Sequence, residues 1–233
     1  MDGAICELEP DSAGLRLLPV DALVTTSEVD HADWNYRPLV GNVIRLRYLM
    51  LQRILVRRRF RRILEIGYGS GVYLPHLAQH ADELYGIDPH PCAGQVSAVL
   101  NRFGVTAELV SGSTTQLPYA DQFFDCVVAV SALEFVNDLP LACREICRVL
   151  RPLGTLVVVT PGESKMLDLG LKLLTGASPR DDFGDRRGRI IPTLLAHFDL
   201  RQRVDRPRFL HRMVRLYSAM ELSNRNMFLR DDR

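Results

Sequence analysis

Between positions 61 and 160 the chain alternates short apolar runs with longer stretches whose apolar residues recur at helical spacing. Residues 62–66 (RILEI), 83–87 (ELYGI), 106–110, 124–130 (FDCVVAV) and 154–160 (GTLVVVT) read as strands. The fourth is apolar almost throughout, as a strand covered on both faces is. Residues 72–80, 92–103 and 139–150 read as helices. The last of these turns Leu141, Ile146, Val149 and Leu150 inward and stops before Arg151-Pro152, where proline restricts the preceding backbone. Strand, helix, strand, repeated four times, predicts right-handed crossovers and a parallel sheet.

The flanks follow other patterns. After Pro161 the spacing predicts a helix at 165–174, a polar loop at 178–189 and a short helix at 190–197, broken or started at Pro192. Residues 199–209 and 213–222 read as two strands joined directly, hence an antiparallel pair. Ahead of the sheet, 38–58 reads as a helix with Ile44, Tyr48, Leu51 and Leu55 on one face. Residues 1–30 form a separate N-terminal segment, expected to be partly disordered. A length of 233 residues suits one large α/β domain over 31–233, with 31–60 as its N-terminal lid and helix.

Composition narrows the class. At 47% hydrophobic and 24% charged residues the chain reads as a soluble globular protein. It has no apolar run of the roughly 18 residues a membrane span needs. Asp2, Glu7 and Glu9 argue against a cationic leader, so a cytoplasmic location is expected. The five cysteines form no CxxC pair and read as reduced and mostly buried, with no metal expected. Net charge is only +1, yet residues 45–62 hold Arg45, Arg47, Arg53, Arg57, Arg58, Arg59, Arg61 and Arg62 and no acid. Such a block can attract nucleic acid or an anionic surface. The helical spacing of its apolar residues favours a plainer reading, in which the arginines are the helix's solvated side.

The chemistry concentrates in Glu65-Ile66-Gly67-Tyr68-Gly69-Ser70-Gly71, directly after a strand and before a helix. Alternate glycines let the backbone turn sharply and leave no Cβ between loop and ligand. Amides at the following helix start can face a carboxylate. Val72 stands where the dinucleotide fingerprint places its last glycine, which counts against NAD or FAD. Asp88 ends the next strand, where a carboxylate can accept both hydroxyl protons of a ribose. Ser113, Thr114 and Gln116 follow the third strand, positioned to edge a flat heterocycle.

The glycine loop, Asp88, Leu117-Pro118-Tyr119, Phe124-Asp125 and Arg148-Val149-Leu150-Arg151-Pro152 together resemble class I S-adenosylmethionine-dependent methyltransferases. The resemblance is to the small-molecule group with a methyltransferase type 11-like domain, over about residues 61–161. It implies a Rossmann-like, doubly wound sheet of seven strands, mainly parallel with an antiparallel last strand, and helices on both faces. It implies S-adenosyl-L-methionine as cofactor, S-adenosyl-L-homocysteine as product, and no metal. Gly67, Gly69 and Gly71 would line the methionine and ribose, Glu65 would reach the amino end, and Asp88 with Pro89 would hold the ribose. Tyr68, Ser113, Thr114 and Ser131 complete the implied cofactor set. Three positions depart from the family pattern: Ser113 replaces an acid facing adenine, Phe135 a histidine, and Leu153 a glycine.

For the acceptor, residues 31–39 are read as a lid carrying His31 and Tyr36, and Glu134 as a candidate base. Tyr68, Phe135, Trp34 and Tyr36 are candidates for an aromatic wall around the sulfonium. His90 would lie at the adenosine edge. His76 and His80 read as a solvated or core-edge pair rather than metal ligands. The leading expectation is methyl transfer to an oxygen, nitrogen or carbon of a small molecule by direct displacement; the sequence leaves the oligomeric state open, with the N-terminal helix as a surface that could pair two copies into a homodimer. The alternatives are a cofactor-binding protein without transfer (a partner, sensor or cyclisation catalyst) and a nucleic-acid methyltransferase, the latter favoured only by the arginine block.

Overall fold

A computed structural model describes residues 6–27, 31–38, 40–162, 186–207 and 216–224. Seven strands form one sheet in the order β3-β2-β1-β4-β5-β7-β6. They are β1 (Phe60–Ile66), β2 (Ala81–Asp88), β3 (Glu108–Ser111), β4 (Phe124–Val130), β5 (Leu150–Pro161), β6 (Phe198–Arg206) and β7 (Tyr217–Asn224). The first five run parallel, and β7 is antiparallel to both β5 and β6. The seven-stranded, doubly wound sheet with an antiparallel last strand is therefore as the sequence predicts.

Alternation along the strands divides the core into two layers. Ile63, Cys126, Val128, Val130, Val157, Val159 and Ala219 face one side, where they meet α1 (Val40–Leu55), α2 (Leu74–Leu77) and α3 (Ala93–Arg102). Leu64, Ile66, Val127, Ala129, Leu156, Val158, Met220 and Leu222 face the other, against α4 (Leu139–Val149) and α5 (Arg186–His197). Local chemistry sets the helix ends. The Asp138 carboxylate caps α4 by accepting from the Leu141 amide at 2.9 Å, and Pro140 sits in the first turn. Gly104, at φ 70°, ends α3, and the Val105 amide folds back to the Leu100 carbonyl at 3.0 Å. Arg57, at φ 60°, lies just beyond the end of α1.

Several expectations need correction. The helix expected at 72–80 is a single turn, α2, followed by a 3-10 turn at Ala78–His80. No helix joins β3 to β4, so the third of the four expected repeats is a chain of turns. Those turns are held by α4: the Arg148 guanidinium donates to the carbonyls of Leu117 (2.9 Å) and Tyr119 (2.7 Å), and Glu145 accepts from the Leu117 amide at 2.8 Å. Pro192 lies inside α5 and neither starts nor breaks it. On α4 Leu141 is only partly buried, the inward set being Leu139, Ala142, Cys143, Ile146 and Val149. The helix read at 165–174, and residues 208–209 and 213–215 of the C-terminal strand pair, lie outside the described residues.

The described part of the N-terminal segment is packed. Leu15 and Leu18 are fully buried, each contributing roughly 1.5–3 kcal/mol. Their backbone joins the loop before α2: the Leu18 amide donates to the Val72 carbonyl at 3.1 Å, and the Arg16 amide to His76 Nδ1 at 3.3 Å. The arginine block is not one solvated face either. Arg45, Arg58, Arg59, Arg61 and Arg62 are ion-paired to Asp11, Glu221, Asp82 and Glu83. Arg47 turns inward. Among the described residues no helix is long and apolar enough to cross a membrane.

Candidate active site

The glycine loop leaves β1 at the carboxyl edge of the sheet, where ligands bind in open α/β folds. Gly67, Gly69 and Gly71 all have positive φ, at 74°, 50° and 73°. At Gly67 a Cβ would lie 2.4 Å from the Ala132 Cβ, and at Gly71 one would lie 2.7 Å from Val96 Cγ1. Both positions therefore exclude a side chain by conformation and by contact with the neighbouring elements. Because α2 begins only at Leu74 and is four residues long, the tight loop, rather than a helix terminus, shapes this end of the site.

Asp88 and His90 fix the loop's far side. Asp88 Oδ2 accepts from the Gly69 amide at 2.9 Å, and His90 Nε2 lies 2.9 Å from the Gly69 carbonyl. The Cys92 amide donates to His90 Nδ1 at 3.1 Å, so Nε2 carries the proton and donates to that carbonyl. Pro89 is exposed beside them. Tyr68 is buried with its ring edge-on to His90, and its hydroxyl has no partner. Gly86 leaves the room for that ring, since a Cβ there would lie 2.8 Å from it. Ser113 is exposed and bonded to Thr115 Oγ1 at 2.7 Å in a local turn, with Thr114 beside it at the mouth of the same edge.

Glu65 is the penultimate residue of β1 and points to the face that α1 covers, opposite Val128 of β4. It is 4% exposed, and its Oε2 has no hydrogen-bond partner. Burial raises its pKa to about 8, Asp88 adds to the rise, and the Arg47 guanidinium opposes it. Arg47 comes from the middle of α1, its Nη2 donating to the Tyr48 hydroxyl at 3.0 Å. Its Nε is buried without a partner, and its charge faces Tyr217 at the start of β7 and Glu134.

Glu134 lies on a 3-10 turn, Leu133–Phe135, just past β4. It is 1% exposed, and its Oε1 accepts from the Thr160 hydroxyl of β5 at 3.0 Å. Oε2 is buried with no partner. Burial raises its pKa to about 7, against the lowering effects of its own backbone, Thr160, Arg187 and Arg47. Ser131, at φ 51°, turns the chain between β4 and Glu134, with its hydroxyl buried and unpartnered. Phe135, the next residue on the turn, is 44% exposed.

Glu65, the three glycines, Asp88, Ser131 and Glu134 are thus gathered at one edge of the sheet. His31 and Tyr36 lie in the segment before α1. His31 is exposed and stacks on Trp34 at 4.2 Å, beside a half-open hollow of about 330 Å³ lined from 20–27 and 31–33. The Tyr36 hydroxyl donates to the Leu18 carbonyl, which ties the segment to the packed N-terminus. His76 is buried, with Nδ1 3.3 Å from Gln79, and His80 contacts the Arg58 carbonyl at 2.9 Å. Among the described residues no three His, Cys, Asp or Glu side chains converge as metal ligands.

Arg47, Thr160 and Tyr217 escape the sequence reading. Only Arg47 left a signal: it stands three residues after Ile44 and four before Leu51, on the inner stripe of its helix. Thr160 and Tyr217 meet at the site through strand register, in which Thr160 pairs with Ser218 and Pro161 with Tyr217.

Residues 64–158 match a family described as a methyltransferase domain. A ubiquinone biosynthesis O-methyltransferase of Azorhizobium caulinodans is 31% identical over 102 residues, covering 42% of this chain and 40% of the relative. A demethylmenaquinone methyltransferase of Mycolicibacterium paratuberculosis is 40% identical over 74 residues, covering 30% of this chain and 32% of the relative. The chain thus spans two fifths or less of these relatives' length. Among solved structures, the N-methyltransferase NodS of Bradyrhizobium japonicum in complex with S-adenosyl-L-homocysteine superposes with a TM-score of 0.60. It is 18% identical, over 86% of this chain and 94% of that one, a likeness of fold.

Proposed function

With residues 64–158 matched to a methyltransferase domain, we propose that the chain binds S-adenosylmethionine and catalyses methyl transfer to a small-molecule acceptor. The observation that carries the reading is Glu65, a buried carboxyl with a bare oxygen at the carboxyl end of β1, beside a loop whose Gly67 and Gly71 have no room for a Cβ. A buried polar atom without a partner is costly unless a ligand completes it. The ammonium of an amino-acid moiety is the matching donor. Asp88, 14% exposed at the side chain, accepts from the Gly69 amide through Oδ2 and from the His90 amide through Oδ1 at 3.3 Å, and its remaining lone pairs would take a ribose hydroxyl. Glu65, Gly67, Gly69 and Gly71 would hold the methionine end, and Asp88, Pro89, Tyr68, Ser113 and Thr114 the adenosine, with Ser131 facing the centre.

S-adenosylmethionine supplies, when bound, a methyl group on a positively charged sulfur. What the chain adds is alignment and proton handling. Effective alignment of two reactants can account for several kcal/mol of the barrier. Glu134 is the group to take a proton from the acceptor: it is at the sheet edge, oriented by Thr160 through one oxygen, with the other bare. A pKa of about 7 is matched to general-base work at neutral pH. The role falls to Glu134 rather than to His31, which stacks on the surface, or Tyr36, whose hydroxyl is committed to Leu18. A base in this place favours an acceptor with a proton to lose, such as a hydroxyl.

Thermal unfolding with S-adenosylhomocysteine and, separately, with NAD tests the binding half. A ligand at about 100 times its Kd stabilises by roughly 2.7 kcal/mol, and each kcal/mol moves Tm by roughly 2–4 °C at this size. A rise of several degrees with S-adenosylhomocysteine alone is expected, and none at saturating ligand sinks the reading. Release of S-adenosylhomocysteine from S-adenosylmethionine on adding phenolic, quinol and amine acceptors then tests transfer. Binding without any such release would favour the non-transferring alternative.

A further inference from the structure

Three polar side chains form a row across adjacent strands at the end of the sheet that carries the glycine loop. They are Thr160 of β5, Ser218 of β7 and Asp205 of β6. Thr160 pairs with Ser218 and Ser218 with Asp205, so each stands directly opposite the next, on one face. Val158 and Met220, the next residues inward on that face, belong to the apolar layer under α4 and α5. Thr160 and Ser218 are only 3% and 1% exposed, and buried hydroxyls are costly unless they are bonded. At one end of the row the Thr160 hydroxyl donates to Glu134 Oε1 at 3.0 Å. At the other, the Ser218 hydroxyl donates to Asp205 Oδ1, which also accepts from Arg203 Nε at 3.1 Å. Arg203 Nη2 reaches Ser218 Oγ at 3.4 Å. Thr160 thus turns its proton toward the site and Ser218 toward β6, the outermost strand, and no bond joins the two hydroxyls in this arrangement.

A base must lose the proton it takes before it can serve again. Glu134 is 1% exposed and faces Arg47 of α1, Arg187 of α5 and Tyr217 of β7, so it has no direct way to water. Asp205, at the far end of the row, is 25% exposed at the side chain. We propose that Thr160, Ser218 and Asp205 form a proton exit, which carries the proton from Glu134 across the sheet to water beside β6. This rests on Glu134 as the base and adds the route by which it is reset. The proton arrives on Oε2, the bare oxygen. A half-turn of the carboxyl, about a soft terminal torsion, presents that O–H to Thr160 Oγ1 and returns a bare oxygen to the site. Thr160 then passes its own proton to Ser218, Ser218 passes its own to Asp205, and Asp205 releases one to water. Each hydroxyl breaks one O–H bond and forms one, so a single proton moves and nothing is oxidised or reduced. The Cβ atoms of directly opposed residues stand about 4.5–5.5 Å apart, a span that two hydroxyls bridge directly or through one water. Thr160, Ser218 and Asp205 act only through Glu134, and Arg203 holds the outlet carboxylate in line.

The test follows the Glu134 proton by NMR, in the full chain saturated with S-adenosylhomocysteine and labelled with carbon-13 at its glutamate carboxyls. The Glu134 signal is the one lost in E134Q. In the wild-type chain its protonated and ionised forms should exchange fast enough to give one averaged line that shifts with pH around 7. S218A breaks the row at its middle, and D205N removes the outlet while keeping its shape. Each should slow the exchange by at least about tenfold, seen as broadening or splitting of that line. S218T, which restores a hydroxyl, should restore the averaged line, as a merely structural role for Ser218 would not require. Asp205 is partly exposed, so D205N carries the test if S218A fails to fold. Equal exchange rates in the wild-type chain, S218A and D205N, or slow exchange already in the wild-type chain, overturn the exit and leave Glu134 as the base. A Glu134 carboxyl that does not titrate near neutral pH overturns the base and the exit together.

Discussion

Asp88 and His90 hold Gly69 from both sides, the carboxylate accepting from its amide and the imidazole donating to its carbonyl, each at 2.9 Å. The glycine loop and the end of β2 are thereby tied through the two peptide groups that flank Gly69. The bonds are worth roughly 1 kcal/mol each, more where a charged acceptor is involved. His90→Phe keeps the ring packed against Tyr68 but removes both ring bonds. It should weaken S-adenosylhomocysteine binding by about 5- to 30-fold, measured by titration, with Tm reduced by a few degrees. Unchanged affinity would mean that the loop holds its shape on the glycine conformations alone.

As the proposed base, Glu134 should set the pH dependence of turnover. Burial pushes its pKa up to about 7, so the base form is lost as pH falls through that value. The rate at subsaturating acceptor should therefore rise with pH and level off above about 8. Glu134→Gln should remove that limb and lower the rate by about 10²–10⁴-fold. Thr160→Val deletes a donor that favours the carboxylate, and so should push the midpoint of the limb upward.

Glu65 predicts a second, independent linkage, in binding. A carboxyl with pKa about 8 is mostly protonated at neutral pH and must ionise to pair with an ammonium. Affinity for S-adenosylhomocysteine should fall as pH drops below about 8, approaching tenfold per unit, until ligand groups intervene. Titrations in buffers of different ionisation enthalpy should show proton release near pH 7. Glu65→Gln should bind weakly and without that release.

His76 links fold stability to acid. It is 3% exposed and burial lowers its pKa to about 4, with His80 adding to the effect. Between the ordinary histidine value and 4 the unfolded chain binds a proton that the folded chain does not. Stability is thus complete above about pH 6.5 and lost progressively toward pH 4. One pKa unit corresponds to about 1.4 kcal/mol, so the loss is on the order of 3 kcal/mol. Chemical denaturation at pH 7 and pH 4.5 should reveal it, and His76→Gln should flatten the difference.

Much of the architecture was legible because strand and helix periods are local properties. Residues 124–130 can hardly be anything but a covered strand, and Glu65 through Gly71 carry their chemistry in consecutive positions. Two kinds of feature were not legible. Where no period exists, as at 112–123, an alternating fold invites a helix that the turn-forming Gly112, Ser113, Thr115 and Pro118 do not make. And where side chains meet through register, sequence order is silent: Arg47, Thr160 and Tyr217 come from three elements spread over 170 residues. Arg47 was hidden further by its company, since seven neighbouring arginines made it look like one more surface charge.

The antiparallel strand has a consequence for how the chain is made. β7 is the last described strand to leave the ribosome, yet it lies inside the sheet, between β5 and β6. Until it emerges, the long edge of β5 has no partner, and β6 has nothing to pair with. From the completion of β5 until β7 is made the growing chain therefore carries an open, strongly apolar edge (Leu156 to Val159), the sort of template on which nascent chains misassociate. Insertion of one final segment seals that edge, brings Tyr217 beside Arg47 and joins Glu221 to Arg58. Maturation of the site and closure of the sheet are the same late event.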